Sequence, residues 1–239
     1  IVNKVQILDT TLREGELNTS VYYTQKKLEI IGTALAQLGT PRIEFSVTYP
    51  QRGGNLNGVR DILSDIQSSY DSTLIIQCRA LREDIDLAQK MEPNGCGIYL
   101  AISHEHRENK LGGMTIEEAT LRLMDSLDYL KESGFKYRRA VLEDASRFFS
   151  QYRSELDKLS VLKRAIEAAD EADATTISLP DTAGLVEEDD ALTMFEFASS
   201  ITDKELAAHF HNDYGNALGN TKAVVKSGRA AEPHVSIYG

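Results

Sequence analysis

Apolar runs of two-residue period alternate with stripes of three- and four-residue period along this whole 239-residue chain, and that alternation constrains the fold more than any single residue does. Strands read at Val5–Leu8, Ile43–Val47, Leu74–Gln77 and Gly97–Ile102, and again near 137–143, 175–179, 205–211 and 234–238. Helices lie between them. Leu28, Ile31, Leu35 and Leu38 form one stripe that ends at Gly39, and further helices fall near 57–69 and 83–91. Thr115 and Glu118 make a capping box for a helix striped by Ile116, Ala119, Leu123, Leu127 and Leu130. The spacing also predicts helices near 153–172, 187–200 and 216–227.

Strict alternation requires parallel strands joined by right-handed crossovers, and eight such strands predict closure into an α/β (β/α)8 TIM barrel. The rival, an open doubly wound sheet, lacks its signature, since the first strand leads into no G-x-G-x-x-G turn and no Walker loop follows any strand. No Pro- or Ser-rich linker cuts the chain, so one barrel over residues 1–239 is expected. The sequence stops at Tyr238-Gly239 as its last strand ends. The expectation is therefore a C-terminally truncated barrel without a final helix or a lid domain.

A formal charge of −11 argues against nucleic acid as the main partner, because no basic stripe is present to neutralise phosphates. Two irregularly placed cysteines, Cys78 and Cys96, supply neither a disulfide framework nor a zinc ribbon and read as reduced thiols of a cytoplasmic protein. No run approaches the ~20 apolar residues of a membrane span, and no leader pattern opens the chain.

In a barrel of this type the chemistry sits where strands end at their C-terminal side. Arg13 and Glu14 follow strand one, Glu143 and Asp144 end strand five, and Asp181-Thr182-Ala183-Gly184 follows strand six. His209 and His211 end strand seven, two residues apart, so they share a face while Phe210 turns away. Two imidazoles on one face plus a carboxylate from elsewhere suit a divalent cation with open positions. On strand five Tyr137, Arg139, Val141 and Glu143 share parity, which puts Arg139 on the face that carries Glu143 into the lumen. Arg139 and Glu143 stabilising each other is the plainer alternative.

Asp9-Thr10-Thr11-Leu12-Arg13-Glu14-Gly15-Glu16, Asp181-Thr182-Ala183-Gly184 and His209-x-His211-Asn212-Asp213, in that order, resemble the DRE-TIM metallolyase family of HMGL-like barrels. Within it the chain is most similar to the acyl-CoA condensing enzymes: homocitrate, isopropylmalate and citramalate synthases. The resemblance implies that Glu14, His209 and His211 hold a divalent metal, that Arg13 and Glu143 are catalytic, and that Glu44, Arg79, Arg139 and Thr182 contact substrate. It further implies a fourth ligand from an Asn after strand eight, beyond this sequence, and a homodimer. The pattern Arg139-x-x-x-Glu143-Asp144 is similar to that of homocitrate synthases, where the arginine pairs with the distal carboxylate of 2-oxoglutarate. Two positions depart from the family. Leu17 stands where Gln is usual, and Gln77 stands where homocitrate synthases carry a His two residues before an arginine, here Arg79.

A divalent cation, whether Zn, Mn, Mg, Fe or Co, can polarise the ketone of a chelated 2-oxoacid, and Arg13 can stabilise the oxygen that gains charge as acetyl-CoA adds. His104 and His106, in a loop after strand four, could reach the mouth as bases, while in homocitrate synthases the base is assigned to a lid. In a purely structural role, Glu44 could pair with Arg79 or Arg13 across the lumen, and Thr182 could cap the next helix. A carbon–carbon lyase or aldolase on the same barrel, similar to HMG-CoA lyase, would carry the same metal and arginine. A barrel that has lost activity and serves as a regulatory subunit is the third reading.

Overall fold

A residue's parity on a strand decides whether it faces the lumen or the helices, and in a closed barrel that choice is repeated around the wall. The computed structural model describes residues 4–17, 21–147 and 156–237. Its eight strands are β1 (Leu8–Asp9), β2 (Arg42–Ser46), β3 (Thr73–Arg79), β4 (Gly95–Ala101), β5 (Tyr137–Glu143), β6 (Thr176–Asp181), β7 (Glu205–Phe210) and β8 (Glu232–Val235). All pair in parallel and in chain order, and β8 closes on β1 through Leu8 opposite His234 and Asp9 opposite Val235. The chain is a (β/α)8 TIM barrel.

The seven expected helices form over Gln25–Gln37 (α2), Leu56–Ser69 (α4), Arg82–Lys90 (α5), Ile116–Glu132 (α7), Leu156–Glu171 (α8), Glu188–Ser199 (α9) and Ala217–Lys226 (α10). The N-terminal residues of the helix expected near 153–172 lie outside the described residues. The capping box at Thr115 and Glu118 is present in both directions, satisfying two N-terminal N–H groups of α7. Among the described residues no helix follows β8.

Three short rim helices were not expected: α1 (Thr11–Glu14), α3 (Thr48–Gln51) and α6 (His104–Lys110). Each is a single turn or two directly after a strand, too short to show an apolar period. His104 and His106 thus lie on a helix rather than in a loop, with the Ser103 hydroxyl accepting from the His106 N–H at 3.4 Å.

The last strand differs more. It starts at Glu232, two residues before the expected 234, because parallel pairing sets Glu232 beside Ala207 and Pro233 beside Ala208. A carboxylate and a proline look unlike strand in sequence. The lumen supplies cations for the first, and β8 tolerates the second at the start of its ladder. The first strand is likewise shorter than expected, since Val5 and Ile7 stand outside it and are 41% exposed.

The main core lies between wall and helices. Ile43 and Phe45 on β2, Ile76 on β3, Ile98 on β4, Leu142 on β5 and Ile177 on β6 are fully or almost fully buried against residues such as Leu63, Leu127 and Ile166. The lumen holds only a small apolar floor of Leu8, Ile75 and Tyr137. Above that floor it is filled by charge.

Candidate metal centre

Three arginines and four glutamates run up the barrel interior as one connected network. At the bottom Arg42 pairs with Glu205 and Glu232 and lies over the Tyr137 ring, 5.0 Å from its centroid, while the Tyr137 hydroxyl donates to Glu232 at 2.8 Å. One layer higher, Arg139 pairs with Glu44 and donates to Gln77 Oε1 at 2.6 Å, with Glu232 3.4 Å away. The guanidinium fits because Gly97 opposite has no side chain: a Cβ there would lie 3.0 Å from Arg139 Nη2. Glu44 passes the chain upward to Arg13, whose Nη2 is 2.5 Å from Glu14.

At the top the first and seventh strands meet. The Asp9 carboxylate accepts from the Thr11 N–H at 2.9 Å and starts α1, which turns Arg13 and Glu14 over the lumen. His209 Nε2 lies 3.2 Å from Glu14 Oε1 and 3.2 Å from His211 Nε2, and one ligand atom from each of the three residues lies within 4.8 Å of the others. Glu14 Oε1 is buried yet has no aligned hydrogen-bond donor. A buried oxygen whose charged neighbour Arg13 is not aligned to donate, and which faces two imidazole rings, fits a small divalent cation of the His₂-carboxylate type.

The charges agree with that fit. Burial alone would raise the Glu14 carboxyl, but the adjacent His209 ring and the Arg13 guanidinium hold it well below the usual carboxylate range. Burial outweighs the pull of Glu14 on His209 and lowers that imidazole to about 4, so it is neutral at pH 7, the form a metal ligand requires. Three guanidiniums balance the three carboxylates beneath the ligands, and Glu14 itself adds the one negative charge in excess.

A cavity of about 620 Å³ opens above the ligands, and Arg13, Glu14, Arg79, Glu143, Thr182, His209 and His211 all line it. Arg79 is held by Asp84 through two 2.8 Å bonds. Glu143 contacts Lys110 at 2.5 Å and His106 Nδ1 at 3.6 Å, and not Arg139. Thr182 accepts from the Asp144 N–H at 3.0 Å, which ties the fifth and sixth strand ends together rather than capping a helix.

Two expected substrate contacts sit elsewhere. Arg139 and Glu44 are both fully buried below the cavity and do not line it. Parity put Arg139 in the lumen, but at the depth of Glu44 and Glu232, whose charges it neutralises. Glu44 pairs with Arg13, one of its two expected partners across the lumen, and orients that guanidinium. Asp181 also serves the scaffold, accepting from the Ser146 hydroxyl at 2.5 Å and from the Leu185 and Val186 N–H groups at 3.0 and 3.2 Å.

Sequence reasoning missed Glu232 and His234. His234 Nδ1 is 3.1 Å from His209 Nδ1, and its Nε2 is 2.9 Å from Glu232. The period-two relation of Glu232 and His234 to the lumen was the available signal, hidden by the late start assigned to the last strand.

The HMGL-like family profile matches residues 4–239. A 2-isopropylmalate synthase of Sulfolobus acidocaldarius is 31% identical over 99% of this chain and 58% of its own length. A homocitrate synthase of the same organism is 30% identical over 99% of this chain and 48% of its own length. The chain thus spans about half the length of the curated relatives it matches. Among solved structures, HMG-CoA lyase of Bacillus subtilis superposes with a TM-score of 0.81 at 20% identity, covering 98% of this chain and 77% of the lyase, which is a likeness of fold.

Proposed function

We propose that this chain, which belongs to the HMGL-like family, is the barrel of a metal-dependent enzyme that joins acetyl-CoA to a 2-oxoacid. The observation that carries this reading is the meeting of Glu14, His209 and His211 beside a half-buried arginine at the floor of an open cavity. Relatives named 2-isopropylmalate synthase and homocitrate synthase support it.

A divalent cation held by those three side chains would polarise the ketone of a 2-oxoacid bound through its ketone and carboxylate oxygens. The chain's own residues supply the rest. Arg13 is fixed from below by Glu44, so its guanidinium is already aimed where the acceptor oxygen gains charge when the carbon–carbon bond forms. Being fixed in advance, it needs little reorganisation during the reaction. Glu143 faces the cavity as the acid–base group of the opposite rim, its carboxylate held between Lys110 and His106.

The acceptor's far end meets the rim. 2-Oxoglutarate leads as acceptor by relation to the homocitrate synthases, and its second carboxylate would meet the rim cations Arg52, Arg79 and Lys110, which line the cavity, rather than buried Arg139. Gln77 is engaged by Arg139 and Leu17 is 64% exposed, so both departures from the family change what holds the acceptor. The 2-oxoacids of isopropylmalate and citramalate synthesis are therefore close behind.

The test is thiol release by the full-length protein from acetyl-CoA with 2-oxoglutarate, 2-oxoisovalerate and pyruvate in turn. Release with one of them, lost in Arg13→Ala, is expected. No thiol with any acceptor, together with cleavage of a 3-hydroxyacyl-CoA, would replace condensation by lyase chemistry.

A further inference from the structure

The two ligand histidines are held differently from behind. No hydrogen bond among the described residues fixes the His211 ring on its Nδ1 side, whereas His209 Nδ1 rests 3.1 Å from His234 Nδ1. His234 in turn reaches Glu232, and the side chains of the two are 3% and 0% exposed. Two side chains of the eighth strand, Glu232 and His234, therefore stand in a row behind one ligand ring and end on its Nδ1.

The proton positions along that row follow from the chemistry of its far end. Glu232 is surrounded by donors: the Tyr137 hydroxyl, Arg42, Arg139 and His234. A carboxylate so placed is ionised and can only accept. The proton between it and the nearby ring therefore belongs to His234 Nε2, 2.9 Å from Glu232 Oε1. Arg139 Nη1 also approaches that nitrogen, at 3.5 Å, but the carboxylate is nearer. A neutral imidazole with a proton on Nε2 carries a lone pair on Nδ1. With a cation on its Nε2, the atom that faces Glu14 and His211, His209 would keep its proton on Nδ1 and donate it to that lone pair, whereas without one the Glu14 carboxylate draws the proton to Nε2.

We infer that Glu232 and His234 form a positioning pair that holds the His209 ring from its Nδ1 side, with Nε2 turned to the cation position. This rests on the metal reading of the site, for which Glu14, His209 and His211 are the ligands. Glu232 does not line the cavity, His234 reaches its lining, and the pair acts on the cation through the His209 ring. Its effect is to hold the ring plane and to accept the Nδ1 proton when Nε2 coordinates.

Histidine ¹⁵N NMR of the metal-free protein and calorimetric titration with Co²⁺ test the pair together. In the wild type, His234 is expected to carry its proton on Nε2. His234→Ala should weaken Co²⁺ about 10–100-fold, the usual cost of losing such a partner. His234→Gln keeps an acceptor for His209 Nδ1 and should recover most of that affinity, which separates positioning from packing. The wild-type spectrum needs no variant to fold. A wild-type His234 protonated on Nδ1, or Co²⁺ affinity equal in wild type and His234→Ala, would overturn the pair while leaving the metal site standing. Absence of Co²⁺ binding by the wild type would overturn both.

Discussion

The two faces of the barrel wall solve the same burial problem in opposite ways. Toward the helices, Ile43, Phe45, Ile76, Ile98, Leu142 and Ile177 pack as an ordinary apolar layer. Toward the axis, the second, fifth, seventh and eighth strands present Arg42, Glu44, Arg139, Glu205, Glu232 and His234, so buried charge neutralises buried charge. Apolar packing is non-directional and tolerates volume-conserving exchange, whereas an ion network holds only when each member has its partner. The outer face therefore keeps the barrel together, and the inner face fixes where Arg13, Glu14 and His209 stand.

Removing one member of the inner network should have the largest effect. Arg139→Met leaves Glu44 and Glu232 short of a cation and is expected to cost about 3–5 kcal/mol in urea unfolding. A loss below about 1 kcal/mol would mean that the lumen is as forgiving as the outer layer. At the top of the same network the cost moves from stability to rate. Arg13→Ala should lower kcat/KM in the thiol-release assay by about 10²–10³-fold with little change in unfolding midpoint, because Glu44 still has Arg139.

Acidification tests the inner face without mutation. The His209 imidazole is lowered to about 4 by burial, so between its ordinary 6.5 and 4 the unfolded chain binds a proton that the metal-free fold does not, and stability should fall with pH across that window. Burial would raise Glu232, but the hydrogen bond from His234 and the charges of Arg139 and Arg42 bring it down to about 2. Its contribution is complete above 4.5 and lost as pH falls toward 2. Denaturant unfolding of metal-free protein at stepped pH should show both losses in that order. Stability that rises between pH 6.5 and 4 would contradict the account. The smallest effect belongs to the outer layer: Ile98→Val should cost about 0.5–1.5 kcal/mol and leave Co²⁺ affinity unchanged.

The same contrast explains what could be read in the sequence. Outer-face residues are apolar at a fixed period, so all eight strands and the seven long helices were legible from alternation alone. Local spacing also carried part of the site: His209 and His211 share a strand face, and Arg13 and Glu14 share the turn after β1. Whether these two places meet is a matter of closure, which only the eight-strand count implied. The lumen partners were harder to see. Arg139 was assigned to the correct face, but parity gives no depth, and depth decides whether a guanidinium meets substrate or Glu44. Glu232 was missed because Glu-Pro reads as a loop until Ala207 and Ala208 pair beside it, and without Glu232 nothing marked His234, which lay inside the expected strand, as its lumen partner.

The central claim is that Glu14, His209 and His211 hold one cation, and Co²⁺ titration of the full-length protein beside Glu14→Gln tests it most directly. One ion per chain in the wild type, with binding lost or strongly weakened in the variant, is the expected result. Equal binding by both proteins, or none by either, would contradict it.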